Sequence, residues 1–237
     1  LFRSDEYGGS PENRMRFPLE LLAALRAAVG PDFPIEYRIS GDEIDEDAMH
    51  LPETLDFLEK AQEYIDLVHF SVGIDPGSPV HGRRFMSNYL EPHNVNLAFA
   101  EAAKKRLRIP VAVVGGISYH EDAEKMIAEG KTDIVVMGRA TICDPEGHRK
   151  AELGLEEDIR PCMRCGNCGR VSRAMGMKTV LCSLNPTAGR EIQYLEINPA
   201  PVKKKVMIVG CGPAGMQAAI TAAQRGHQVV LFEKKEA

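Results

Sequence analysis

Residues 111–139 read VAVVGGISYHEDAEKMIAEGKTDIVVMGR, and this stretch decides the fold. It begins with the apolar run 111–114, passes two glycines into a helical pattern at 120–129, and returns to an apolar run at 134–137. Short apolar strands joined by a helix are typical of a parallel β-α-β unit. The stretch therefore predicts a parallel sheet that is covered by helices.

The same alternation extends toward the amino terminus. Strands are predicted at 35–40 and 67–72, and helices at 11–29, 55–65 and 94–106. Ser10 and Pro11 are a typical helix start, whereas Pro18 predicts that the first helix kinks or restarts. Four strands that alternate with helices make half of a (β/α)8 barrel. Because closure needs eight strands, we expect the missing four to precede Leu1 and the chain to be a fragment.

Four of the six cysteines fall within the segment CMRCGNCGRVSRAMGMKTVLC at 162–182. They are Cys162, Cys165, Cys168 and Cys182. Clustered thiolates at this spacing are typical of an iron–sulfur cluster or of a structural zinc site, and the spacing leaves both open. Cys143 and Cys211 are expected to lie alone in apolar surroundings, which argues against a disulfide framework. Free thiolates indicate a reducing compartment, so we expect a cytoplasmic protein.

A glycine motif follows the apolar run 205–209 and opens a helical pattern. It reads Gly210-Cys211-Gly212-Pro213-Ala214-Gly215, and Glu233 ends the next predicted strand. In a dinucleotide-binding fold the glycines admit the pyrophosphate to the helix N-terminus, and the acidic residue accepts hydrogen bonds from the ribose. We therefore predict the start of a Rossmann-like domain.

The predicted fold class is α/β, with three parts in sequence. Residues 1–150 are interpreted as the C-terminal half of a TIM barrel, and 151–200 as the four-cysteine segment with a linker. Residues 201–237 are interpreted as the start of a domain that binds FAD or NAD(P).

Polar residues at the ends of barrel strands are the candidates for chemistry, because active sites of this fold lie there. Gly115-Gly116 and Gly138-Arg139 end the last two predicted strands and could bind a phosphate group through backbone N–H groups and one guanidinium. Arg38 is predicted to face inward, where it could stabilise negative charge on a cofactor. For Arg38 the alternative is a structural salt bridge, and for the glycines it is a plain turn.

Two histidines bear on the site. His81 lies in the long loop after the second predicted strand, on the side where barrel chemistry occurs, and is a candidate general acid. A solvated loop histidine is the alternative. His69 falls within a strand and is expected to be a packing residue. The other histidines are expected to be surface or capping residues.

Composition limits the partners. The formal net charge of −5 disfavours nucleic acid and membrane surfaces as general partners, and no apolar run is long enough to cross a bilayer. The expected partners are small molecules, and a homo-oligomer is compatible with the sequence.

Several motifs carry a family resemblance. They are YGGSPENRMRF at 7–17, YRISGD at 37–42, VGGI at 114–117, MGRA at 137–140 and NPTAG at 185–189. Together they resemble the NADH:flavin oxidoreductase family of Old Yellow Enzyme type. With the four cysteines they resemble its iron–sulfur branch, which includes 2,4-dienoyl-CoA reductase, enoate reductases and trimethylamine dehydrogenase.

The resemblance implies FMN, a [4Fe–4S] cluster, FAD and NAD(P)H as cofactors. By similarity Arg38 would face the N1/O2 edge of FMN, and the four cysteines would ligate the cluster. The FMN phosphate would be bound by Gly115, Gly116, Gly138 and Arg139. The second flavin, or its ADP part, would be bound by Gly210, Gly212, Gly215 and Glu233. His81 would correspond to the active-site histidine of the dienoyl-CoA reductase branch.

The activity implied by the resemblance is reduction of an activated C=C bond, with electrons passing from NAD(P)H to FAD, cluster, FMN and substrate. An amine dehydrogenase of the trimethylamine dehydrogenase type is the alternative, and it runs electrons in the opposite direction from substrate to cluster. A non-catalytic fragment with structural zinc is a further alternative. The chain alone is expected to be inactive.

Overall fold

The computed structural model describes residues 3–44, 48–73, 86–171, 174, 176, 179–194 and 196–235. The chain divides into two compact units, Leu1–Pro186 and Thr187–Ala237. All four cysteines of the predicted cluster segment belong to the first unit. Within the described residues, no helix combines the length and the apolar character that a membrane span requires.

The first unit alternates helices with parallel strands, as the sequence predicts. Its strands are β1 (Glu36–Ser40), β2 (Leu67–Ser71), β3 (Val111–Val114) and β4 (Ile134–Val136). Its helices are α1 (Pro11–Val29), α2 (Leu51–Ala61), α3 (Leu97–Lys104), α4 (His120–Ala128), α5 (Gly138–Cys143) and α6 (Gly147–Glu152). A 3-10 turn at Glu156–Asp158 and a π-helical turn at Asn167–Val171 follow.

Helix α1 confirms the predicted start, and it is continuous through Pro18, where the sequence predicts a kink or a restart. Ser10 caps the helix, since its side-chain oxygen accepts a hydrogen bond from the Asn13 backbone N–H at 3.3 Å. The helix does not restart at Pro18 but runs on to Val29. Proline removes one N–H donor, and a helix of this length tolerates the single missing bond because its other turns remain intact.

The four strands of the first unit form one parallel sheet in the order β1-β2-β3-β4. Side chains alternate between its two faces. One face carries the apolar core against the helices, with Val68, Phe70, Val111 and Val113 almost completely buried. On the other face, the register places Arg38 beside His69 and His69 beside Ala112. In a barrel this second face is the interior.

The second unit has two parallel strands, β5 (Lys205–Val209) and β6 (Gln228–Phe232), and it also contains the short helix α7 (Glu191–Tyr194). Between the strands lies α8 (Pro213–Gln224), which packs on both of them. Alternate strand residues are half-buried and exposed, so the helix covers one face of the pair. This is the strand–helix–strand start of a doubly wound fold.

Candidate active site

The carboxyl ends of the strands in the first unit converge on one concave site. All five residues that the sequence predicts for a flavin site line it: Arg38, Gly115, Gly116, Gly138 and Arg139. Ser71, which ends β2, and Val72, which follows it, complete this wall. The structure thus brings together residues at the carboxyl ends of β2, β3 and β4 with Arg38 from the middle of β1, as expected for a site toward the C-terminal face of a barrel.

The backbone at 115–116 strongly favours glycine. Gly115 has φ +154° and Gly116 has φ +69°, a region that other residues rarely adopt. A Cβ atom on Gly115 would overlap the Asn96 side-chain amide, and one on Gly116 would overlap the Ser87 hydroxyl oxygen. The buried Asn96 holds this turn by donating from Nδ2 to the Val114 carbonyl at 2.6 Å. Without side chains, the turn packs directly against Asn96 and Ser87 while it lines the concave site.

Arg139 supplies a donor that lacks an acceptor. Its Nη1 atom is buried, and no described residue forms a hydrogen bond with it. A buried N–H donor without a partner is costly and rare in native proteins. The glycine turn and this guanidinium fit a phosphate group, whose oxygens accept several hydrogen bonds.

Arg164 is a residue of this site that sequence reasoning missed. It lies between Cys162 and Cys165, yet its buried side chain lines the same concave site as Arg139. Burial and the nearby Arg139 lower its pKa. The sequence signal that could have indicated Arg164 is its position between two cysteines of the clustered motif. The spacing alone does not show where its side chain points.

The four predicted cluster residues share one cavity. Cys162, Cys165, Cys168 and Cys182 all line it. Backbone N–H groups approach two of the sulfurs at 3.4 Å, from Arg164 to Cys162 Sγ and from Leu184 to Cys182 Sγ. Cys165 Sγ is 3.4 Å from the Ser183 hydroxyl. Hydrogen bonds of this kind to sulfur favour thiolate ligands, so the donor set fits a cluster.

Three hydrogen bonds that the sequence did not indicate anchor the four-cysteine segment to neighbouring parts of the first unit. The buried Ser118 hydroxyl donates to the Cys162 carbonyl at 2.8 Å, and Asn185 Nδ2 donates to the Ile142 carbonyl at 2.9 Å. The Arg160 backbone N–H donates to Asp144 Oδ2 at 3.0 Å. These bonds hold both ends of the four-cysteine segment beside α5.

Cys143 corrects the expectation that it lies alone. Its buried thiol lines the same cavity as the four predicted cysteines, and donates to the Pro161 carbonyl at 3.7 Å. Burial and the neighbouring Cys182 raise the pKa of the Cys143 thiol to about 12.

Among the described residues, no three His, Cys, Asp or Glu side chains are grouped closely enough to hold a single metal ion.

The glycine motif of the second unit has the geometry of a dinucleotide-binding turn. Gly210 has φ +103°, and its N–H donates to the Phe232 carbonyl at 2.7 Å. Gly212 is the N-cap of α8, and Pro213 and Ala214 begin the helix. A Cβ atom on Gly215 would overlap the Gly210 carbonyl oxygen, so glycine is required for the close approach of helix and strand.

Glu233 lies at the end of β6, next to this turn. Its carboxylate accepts hydrogen bonds from the backbone N–H groups of Cys211 at 2.8 Å and Lys234 at 2.7 Å. These backbone bonds lower the pKa of the Glu233 carboxyl, so it is held as a carboxylate. An ionised carboxylate has further lone pairs that could accept from ribose hydroxyls.

The histidines differ in outcome. His81 lies outside the described residues, and its role as general acid stays a prediction. His69 is buried, as expected, and its Nδ1 is 2.8 Å from Glu36 Oε1, while burial lowers its pKa. His120 and His148, which were expected to be surface or capping residues, also contact each other, with 3.1 Å between His120 Nε2 and His148 Nδ1.

Comparison with known proteins shows which families and structures this chain resembles. Residues 204–237 match the pyridine nucleotide-disulphide oxidoreductase family. Over 99% of its length the chain is 47% identical to an NADH oxidase of Thermoanaerobacter brockii, of which it covers 36%. It superposes on a 2-naphthoyl-CoA reductase with a TM-score of 0.90 and 33% identity, covering 99% of this chain and 35% of that one.

A second similar solved structure is named as a dehydrogenase and not as a reductase. It is a histamine dehydrogenase from Rhizobium sp. 4-9, with a TM-score of 0.88 and 29% identity over 99% of this chain and 34% of that one. The chain thus spans about a third of the length of the proteins it matches. These superpositions confirm the predicted fold class, a partial parallel barrel with further segments.

The family assignment rests on the first unit. Residues 2–158, well over half of the chain, match the family described as NADH:flavin oxidoreductase / NADH oxidase. The resemblance read from the motifs at the strand ends is therefore confirmed. The chain belongs to the NADH:flavin oxidoreductase / NADH oxidase family.

Proposed function

We propose that this chain is part of an NAD(P)H-dependent flavin and iron–sulfur oxidoreductase that reduces an activated C=C bond. Electrons would pass from NAD(P)H to FAD, then through a [4Fe–4S] cluster to FMN and on to the substrate. The family match supports a flavin and the second match supports a nicotinamide cofactor. The substrate would be a small unsaturated molecule of the enoate or dienoyl-CoA type.

The main support for this proposal is that the flavin-type site and the cysteine cavity adjoin each other. The flavin-type site and the four-cysteine cavity share two lining residues, Arg139 and Cys162. Two redox groups held on either side of the same residues would be close neighbours, which is what electron transfer between them requires. A structural zinc site would have no need to adjoin a phosphate site.

The residues divide by role within this proposal. Gly115, Gly116, Gly138 and Arg139 would bind the FMN phosphate. Arg38 would place its positive charge at the flavin ring, where it would stabilise a developing negative charge. Cys162, Cys165, Cys168 and Cys182 would hold the cluster as thiolates. When bound, the flavin supplies hydride transfer and the cluster supplies single-electron transfer.

In the second unit the glycine turn and Glu233 would bind the second dinucleotide. The N–H groups of the first turn of α8, behind Gly212, would face the pyrophosphate. Glu233, ionised and at the end of β6, would accept from the ribose. NAD(P)H would donate its hydride at this second site.

An amine dehydrogenase is the second candidate function. The similarity to the histamine dehydrogenase supports it, because that structure covers the same 99% of the chain as the reductase does. The residues that bind the cofactors would be the same in both cases. The two functions differ in the direction of electron flow, from substrate to cluster for an amine and from cluster to substrate for an alkene.

Cofactor content is the first test. The holoprotein would be purified without oxygen and analysed for iron, acid-labile sulfide, zinc and flavin. We expect about four irons and four sulfides per chain, together with FMN and FAD. Zinc in place of iron, without flavin, would overturn the proposal and support the structural alternative.

Electron direction is the second test. The holoprotein would be mixed anaerobically with NADH or with a panel of primary, secondary and tertiary amines, while flavin absorbance is followed. Bleaching by NADH, followed by reoxidation with an enoate or an enoyl thioester, supports the reductase. Bleaching by an amine, with no reoxidation by any unsaturated acceptor, would instead establish the amine dehydrogenase.

A further inference from the structure

Arg164 is a buried cation that forms no ion pair within the described part of the chain, although burial lowers its pKa while the nearby Glu91 carboxylate acts to raise it. The residue is only 5% exposed. Nη1 donates to two neutral acceptors, the Pro92 carbonyl at 2.8 Å and the Ser87 hydroxyl at 3.4 Å. Among the described residues no carboxylate forms an ion pair with it. Burying a guanidinium without a counter-charge is costly, so such a residue usually faces an anionic ligand.

The neighbours of Arg164 point to a ligand of that kind. Arg38, Arg139 and Arg164 line one concave site, and no acidic side chain is among the described residues that line it. The Nη1 atom of Arg164 is 3.4 Å from the place where a Cβ of Gly116 would stand. Like charges held together without an anion repel one another. A dianionic phosphate beside Gly116 would remove this repulsion and accept hydrogen bonds from the guanidiniums of Arg139 and Arg164.

The backbone of Arg164 faces the other way, toward the cysteines. Its N–H donates to Cys162 Sγ at 3.4 Å, and its φ of +56° lies in the left-handed region that non-glycine residues seldom adopt. A residue in this conformation persists only where its surroundings hold it there. Arg164 is therefore fixed at both ends, with its backbone at a predicted cluster ligand and its side chain in the flavin-type site.

We infer that Arg164 is a second guanidinium of the phosphate site, which binds the phosphate monoester of FMN together with Arg139 and Gly116. This inference rests on the proposed function for the presence of FMN. It has a structural consequence, because the bound phosphate then fixes the loop between Cys162 and Cys165. Arg164 acts on the cluster through this loop and through its backbone N–H, which donates to Cys162 Sγ, so toward the cluster it is a positioning residue.

The test compares two flavins that differ in the phosphate alone. The holoprotein would be deflavinated, and FMN and riboflavin would each be titrated while flavin fluorescence is followed. In R164Q we expect FMN to bind about 10- to 100-fold more weakly, the loss typical of a hydrogen bond to a charged group, with riboflavin affinity unchanged. R149Q is the matched control, because the Arg149 side chain is 75% exposed and the charge change is the same.

The failures of the inference and of the proposed function give different results. Wild-type protein that binds neither flavin would overturn both. Wild-type protein that binds FMN, with equal affinity in R164Q or with equal losses for FMN and riboflavin, would overturn the inference alone. If R164Q does not fold, R164M decides, since methionine keeps an unbranched buried stem and removes the charge. An FMN-specific loss in R164M supports the inference, and an unchanged FMN affinity overturns it.

Discussion

At the scale of single residues, Gly116 shows how the site depends on an absent side chain. Its φ is +69°, and a Cβ would overlap the Ser87 hydroxyl oxygen. We expect G116A to cost about 1–3 kcal/mol of stability from backbone strain. We also expect it to weaken FMN binding by about tenfold or more, because the turn must move away from the phosphate.

The control for this prediction is Gly130. It has nearly the same φ, +67°, but a Cβ there would meet nothing within 4 Å. G130A should therefore carry the backbone strain without disturbing the site. The measurements are thermal unfolding of the holoprotein and FMN titration of its deflavinated form. Equal FMN affinity in G116A and wild type would show that this turn does not bind the flavin.

The cysteine cavity allows a second prediction at this scale, because it holds five thiols and only four are proposed as ligands. C182A should lose most of the bound iron, since a cluster ligand is removed. C143A should keep it, because the Cys143 thiol already donates to the Pro161 carbonyl as a neutral S–H group does. Iron and sulfide would be measured per chain in each variant after anaerobic purification.

The two cysteine variants control each other. Both remove a thiol from the same cavity. Loss of iron from both variants would indicate that the cavity needs each of the two side chains in order to form. Loss from C143A with retention in C182A would show that the fourth ligand was assigned to the wrong residue.

At the scale of helices and strands, local pattern predicted the strands β1 to β6 and the helices α1 to α4 and α8, but not the short helices α5, α6 and α7 or the contacts between elements. The apolar runs at β1 to β4 and the cap at Ser10 are local signals, and the structure has them as predicted. The neighbours of the Gly115-Gly116 turn are Asn96, Ser87 and Arg164, and Ser118 bonds the Cys162 carbonyl, so these contacts join distant parts of the chain. Their contribution depends on tertiary packing, which no spacing rule contains.

Helix α1 gives a prediction at the element scale. Pro18 lacks the N–H that would bond to the Arg14 carbonyl, so the helix carries one missing hydrogen bond. We expect P18A to stabilise the protein by about 1–2 kcal/mol, because the restored bond and helix propensity exceed the entropy that alanine returns to the unfolded chain.

The matched control for α1 is Pro11, at the first turn of the same helix. Proline costs nothing there, since the first N–H groups of a helix have no partner within it. P11A should therefore leave stability unchanged or slightly lower it. Both variants would be compared by thermal unfolding of the holoprotein. A P18A variant less stable than wild type would show that packing of the proline ring outweighs the missing bond.

At the scale of the whole molecule, the described surfaces are not those of a self-contained enzyme. In the second unit the register sets Met207 beside Val230 and Val209 beside Phe232, and all four side chains are exposed. In the first unit β1 and β4 each pair on one side only within the described sheet. Apolar faces and open strand edges of this kind are normally covered by further structure.

These exposed surfaces give the last prediction. Expressed as the 237 residues alone, the chain should bind an apolar dye such as ANS strongly and should show no NADH-dependent reduction of an unsaturated substrate. The physical reason is that a barrel site of this kind takes its shape from eight strands, whereas the described residues of the first unit form a sheet of four. V209T together with V230T places hydroxyls on the exposed face and should reduce the dye signal without restoring turnover. Turnover by the 237 residues alone would show that four strands suffice to build the site.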